Sequence, residues 1–71
     1  MSTGKRIRQA RRLAEVSVVD LARCLGISRQ QLGRIEAGQS SVRADWLPVI
    51  AGRLGVATAD LVDPAVDPGA P

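Results

Sequence analysis

The stretch Val18 to Gly38, VVDLARCLGISRQQLGRIEAG, carries two apolar rows separated by one glycine. Val18, Leu21, Ala22 and Leu25 recur at the i, i+3, i+4, i+7 spacing of a single helix face, which predicts a short helix with one buried stripe. Gly26 ends it, because glycine takes the positive φ of a helix C-terminus at almost no steric cost, and Ile27 follows as an apolar plug for the corner. Ser28 reads as the N-cap of a second helix, its hydroxyl placed to accept from the orphan amides of the first turn. Leu32 and Ile35 supply that helix with an inner face, so Arg29, Gln30, Gln31 and Arg34 point outward.

Two features of this second helix oppose its own folding. Arg29 puts a cation at the positive end of the helix dipole, and an interior Gly33 costs on the order of 1 kcal/mol against alanine. Both make sense for a helix laid against a phosphate-lined groove, where Arg29 finds an acceptor and Gly33 lets another surface come close. The plainer alternative is an ordinary solvated surface helix.

Ala22 four residues before Gly26, with Leu32 and Ile35 at fixed distances beyond, is a helix-turn-helix pattern. The stretch resembles the Cro-like and phage-repressor-like helix-turn-helix family, also called the xenobiotic response element family, and the resemblance extends from Gly4 to Leu61. It implies an all-α protein, a compact five-helix phage-repressor-like DNA-binding domain in which helices 2 and 3 form the helix-turn-helix. The function implied is sequence-specific binding of double-stranded DNA by a transcriptional regulator of repressor type. Helix 3, Arg29 to Glu36, would read the major groove, and a homodimer would sit on a pseudo-palindromic operator.

By position, Arg29, Gln30 and Arg34 match the family's base readers, with Gln31 beside them. Groove chemistry pairs Arg with guanine and Gln with adenine. Arg12, Ser17, Gln39, Ser40 and Arg43 would contact phosphates, setting register without sequence information. The family's first helix also carries an arginine that pairs, largely buried, with the glutamate ending the recognition helix, and the matching residues are Arg11 and Glu36. The departure is Val18, where relatives often place a phosphate-binding glutamine.

Composition agrees with a binding module. The 71 residues hold no histidine and one cysteine, Cys24, which removes the commonest general base and any internal disulfide framework, so no enzyme, cofactor or metal is expected. Cys24 reads as a small filler or partly exposed thiol. Up to Arg53 there are ten basic and four acidic residues, and from Leu54 onward only Asp60, Asp63 and Asp67, so the first part is more basic than the net +3. Such a balance suits a polyanion. Trp46 is the lone aromatic, which argues against base-stacking modules for RNA or single strands. Neither a membrane span nor a signal-peptide core is visible, and a cytoplasmic location follows as the expectation.

In chain order, Ser2 or Thr3 is placed to cap a first helix over 4–14, with Ile7, Ala10 and Ala14 inward and a basic outer face; Leu13 lies off that stripe. Glu15 and Val16 make the connection, and Ser17 caps the second helix with Asp20 at N3. After Gly38 comes the polar loop of Gln39, Ser40, Ser41 and Val42. A fourth helix from Ala44 or Trp46 to Leu54 would bury Leu47, Ile50, Ala51 and Leu54, with Asp45 as a candidate cap for a helix whose first turn accommodates Pro48.

Gly55 stops the fourth helix, and 58–62 reads as a short fifth one. Leu54, Val56, Leu61 and Val62 have two readings, contacts of a homodimer or completion of the monomer's own core. Residues 63–71, DPAVDPGAP, are set apart as a flexible tail, leaving 1–62 as the domain. The alternative function is an antitoxin or accessory module that uses the same fold to dock a partner protein.

Overall fold

Three serines begin three helices. In the computed structural model, which describes residues 2–62, Ser2 caps α1 (Thr3–Leu13), Ser17 caps α2 (Val18–Leu25) and Ser28 caps α3 (Arg29–Glu36). Each hydroxyl oxygen accepts from the amide three residues on: Lys5 at 3.3 Å, Asp20 at 3.0 Å and Gln31 at 3.0 Å. These bonds satisfy one orphan donor per helix. Gly26 closes α2 at φ 70°, and its amide and that of Ile27 return to the carbonyls of Arg23 and Ala22. The turn then directs α3 across α2.

The fourth helix starts later than its apolar pattern implies. Ala44–Trp46 is a 3-10 turn, and α4 proper runs Leu47–Leu54, with Pro48 in its first turn where a missing N–H costs no internal bond. Asp45 does not cap α4. Its carboxylate instead receives two hydrogen bonds from Arg43. The expected fifth helix is a four-residue 3-10 turn, Thr58–Leu61, so the described residues form four α-helices and two 3-10 turns rather than five helices. Asp60 accepts from the Ala57 amide at 3.3 Å and fixes the entry to that turn.

α3 packs against α1 and α2, α4 packs against α2, and the last 3-10 turn lies across α1 and α4. Ile7, Leu21, Leu32, Ile35, Ile50 and Leu61 are fully buried where these elements meet. Val16, in the α1–α2 connection, joins them, and Val18, Leu25, Ile27, Val42, Leu47 and Val56 seal the edge. Gly4 permits the closest approach, since a Cβ there would strike the carbonyl oxygen of Ile35. Among the described residues Glu15 is the one non-glycine residue at positive φ, 58°, filling the position after α1 where glycine is usual. Ala14 and Leu13 are exposed, Leu13 by 80%, so neither belongs to the core. Residues 63–71, read as a tail, lie outside the described residues. No helix among the described residues is long and apolar enough to cross a membrane.

Candidate nucleic-acid interface

α3 owes its outward row to the residues that bury its other side. Leu32 and Ile35 are buried, whereas Arg29, Gln30, Gln31 and Arg34 are all exposed. These four side chains enter no hydrogen bond or ion pair among the described residues, which leaves two guanidinium groups and two amides available on one helix. Glu36, the only acid of α3, is withdrawn from that row and 5% exposed. Arg11 donates to it twice, Nε to Oε2 at 2.8 Å and Nη2 to Oε1 at 3.0 Å, while its Nη1 donates to the Val16 carbonyl at 3.1 Å. The hydrogen bonds to Glu36 raise the pKa of Arg11 above its ordinary value; burial opposes that rise and the Glu36 charge adds to it. The pair fastens α1 to α3 and cancels a negative charge that would repel a polyanion.

The residues assigned to phosphates fall into separate groups. Arg12 is exposed on α1 and lines an open groove with Val18 of α2 and Gly33 of α3, next to Ser17 at the start of α2. The Ser17 oxygen is committed to the Asp20 amide, but its hydroxyl proton remains available. Gln39 and Ser40 lie in the loop after Ala37 and Gly38 at the end of α3, and their amides both return to the Arg34 carbonyl, at 2.8 and 3.3 Å. Arg43 stands differently. Its Nε and Nη2 donate to Asp45 at 3.1 and 3.2 Å, and its guanidinium lies 5.7 Å from the centroid of the Trp46 ring. Sequence spacing offers no signal for that clasp. Arg8, also exposed on α1, shares the groove with Arg12.

Of the four residues proposed at a dimer contact, Leu61 is fully buried and Leu54 is 7% exposed, because the last 3-10 turn folds back onto α1 and α4. They complete the monomer's core. Val56 and Val62 are half-buried and stay within reach of a partner. Cys24 is an exposed free thiol.

A family profile described as a helix-turn-helix domain matches residues 3–65. The chain belongs to the helix-turn-helix family. Antitoxin PezA of Streptococcus pneumoniae serotype 4 is similar to it, 36% identical over 59 residues that cover 83% of this chain and 37% of that protein. The helix-turn-helix chain thus spans little more than a third of that relative's length. No solved structure matches it. In the helix-turn-helix frame, α2 and α3 are the paired helices and Gly26 lies in their turn, with Arg29, Gln30, Gln31 and Arg34 on the exposed side of the second.

Proposed function

We propose that this chain is a sequence-specific double-stranded DNA-binding transcriptional regulator, a repressor of Cro-like type, that inserts α3 into the major groove. It acts as a homodimer on a pseudo-palindromic operator, with Arg29, Gln30, Gln31 and Arg34 at base edges and Arg12, Ser17, Gln39, Ser40 and Arg43 along the phosphates. The observation carrying this reading is the exposed, uncommitted row on α3 beside an acid already neutralised by Arg11. Binding, not catalysis, is the activity assigned.

Selection of bound duplexes with the purified chain tests the proposal, followed by a salt titration on the selected site. Enriched half-sites should contain at least one guanine opposite Arg29 or Arg34. Log affinity should fall with log salt by about 0.9 for each phosphate neutralised. Selection that returns only A·T pairs at those positions removes the arginine assignment.

The similarity to a protein named antitoxin favours a second reading, in which the same fold docks a partner protein. A flat salt response on duplex, with no selected sequence, would support that role instead. The two can coexist on different faces.

A further inference from the structure

The outer face of α1 is not used by the fold that carries it. Lys5, Arg8, Gln9, Arg12 and Leu13 follow one another at the three- and four-residue spacings of a single helix stripe, and all five are exposed. The side chains of Lys5, Arg8 and Arg12 have no hydrogen-bond or ion-pair partner among the described residues. The other two cations of the helix are placed elsewhere: Arg11 is spent on Glu36, and Arg6 lines a second groove with Asp60.

Such a stripe works against its own helix. α1 holds no acid, so Arg8 has a like charge three residues before it and four after it, each mildly destabilising, where an ordinary surface helix mixes the signs. Leu13, 80% exposed, ends the row. An isolated exposed leucine needs no explanation, but this one is contiguous with three unpaired cations. Together these residues wall an open groove of about 600 Å³ that reaches the end of α3 at Glu36 and Ala37. Glu36 is the one acid in its lining and is already paired with Arg11, which leaves the groove positive along its length. Leu13 forms the ridge between this groove and the one beside Val56, so one of its flanks faces each.

We infer that this groove docks an acidic amphipathic helix of a partner protein, whose carboxylates pair with Lys5, Arg8 and Arg12 and whose apolar residue covers the near flank of Leu13. The inference rests on the partner-docking reading and gives that reading a surface. Lys5 to Arg12 is two helical turns, about 10 Å, and acids at i, i+3 or i+4, and i+7 of a second helix match that row. Each guanidinium can take a carboxylate through two parallel N–H groups. Leu13 decides between a protein and a nucleic acid here. A phosphodiester strand supplies negative charge but no side chain to cover a leucine, whereas an acidic amphipathic helix supplies both.

Display selection of random peptides of about 16 residues, roughly four helical turns, on the purified chain tests this. Enriched sequences should carry Asp or Glu at helical spacing with one large apolar residue on the same face. An enriched peptide should bind on the order of tenfold more weakly to Arg8→Gln and to Leu13→Ser, each the loss of one strong contact. Arg12 is also proposed at a phosphate, so Arg8 carries the charge test, and Lys5→Gln supplies a third position if either variant fails to fold. Arg53→Gln removes the same charge from α4, outside the groove, and should leave peptide affinity unchanged. Peptides that bind the α1 variants as tightly as wild type, or that lose as much with Arg53→Gln, would overturn the groove. Acidic peptides without an apolar residue, indifferent to Leu13→Ser and displaced by any duplex, would make this face a polyanion surface and overturn the protein partner. Failure to enrich any sequence would overturn the docking reading itself, which distinguishes that result from the others.

Discussion

Arg11 holds α1 to α3 with two hydrogen bonds to Glu36, which is 5% exposed, and spends a third on the Val16 carbonyl of the α1–α2 connection. Removing one partner of a buried pair leaves the other charge stranded, so Arg11→Ala should cost about 3–5 kcal/mol in chemical denaturation. In a domain whose whole stability is about 5–15 kcal/mol, that change exposes the fold to unfolding at ordinary temperatures. The sign with pH follows from the raised pKa of Arg11. A cation whose folded pKa exceeds its unfolded value contributes its full stability below the unfolded pKa and loses it as pH rises through the folded one. That window lies above the normal arginine range, so Arg11 should give no pH dependence of stability across neutrality. Arg43 is a contrasting case, since its bond to Asp45 joins side chains that are 67% and 64% exposed. Such a pair is worth roughly 0–1 kcal/mol and yields readily to a competing phosphate. Asp45→Asn should therefore leave Tm nearly unchanged and tighten duplex binding a few-fold at low salt. The gain should vanish in an Arg43→Ala background; an equal gain there would mean that Asp45 acts on the duplex directly.

The duplex-binding proposal gives the surface of α3 and its exit loop separate tasks, and substitutions at each should have different signatures. Arg34→Ala removes a candidate base contact, so repeating the duplex selection should show relaxed preference at one position and a loss of about 1–3 kcal/mol on the parent site. Arg43→Ala should weaken all sequences alike. A change of preference at one base pair with Arg43→Ala would put the loop beside bases instead. The boundaries of α2 and α3 are legible in sequence because each is set by a local device: serine hydroxyls at 17 and 28, and glycine at 26 with φ 70°. Position 15 is not legible in the same way, since a glutamate at φ 58° carries no signature of its left-handed turn. The last element is misread as a helix for a related reason. A segment of four residues, Thr58–Leu61, has too few internal bonds to repay helix nucleation, and burial of Leu61 sets its path. Of the candidate interface, the outward row of α3 follows from the spacing of Leu32 and Ile35. The clasp of Arg43 by Asp45 and the groove beside Gly33 do not, because both depend on how separate side chains or helices come together in space.

A single copy of this domain offers one eight-residue α3, about 12 Å of helix, which on the proposed reading would span only a few base pairs. Much of its affinity would then come from phosphates, which carry no sequence information. Pairing two copies about 34 Å apart would join two weak readers into one selective one. The apolar pattern of Leu54, Val56, Leu61 and Val62 cannot by itself separate a dimer face from a core, since burial against a partner and burial at home demand the same side chains. The fold assigns Leu54 and Leu61 to the core, so a two-fold contact at this end has to use Val56 and Val62. Leu13, 80% exposed, lines the same open groove as Val56 and would be covered with it. Val62→Asp should therefore shift the chain toward monomer in sedimentation velocity and abolish cooperative occupancy of a two-half-site duplex. Affinity for an isolated half-site should stay unchanged, because α3 and the residues proposed to contact phosphates are untouched. If wild-type chain sediments as a monomer when bound to duplex, and the selected sequences contain one half-site without a symmetric mate, then α3 reads alone and these valines serve only the monomer.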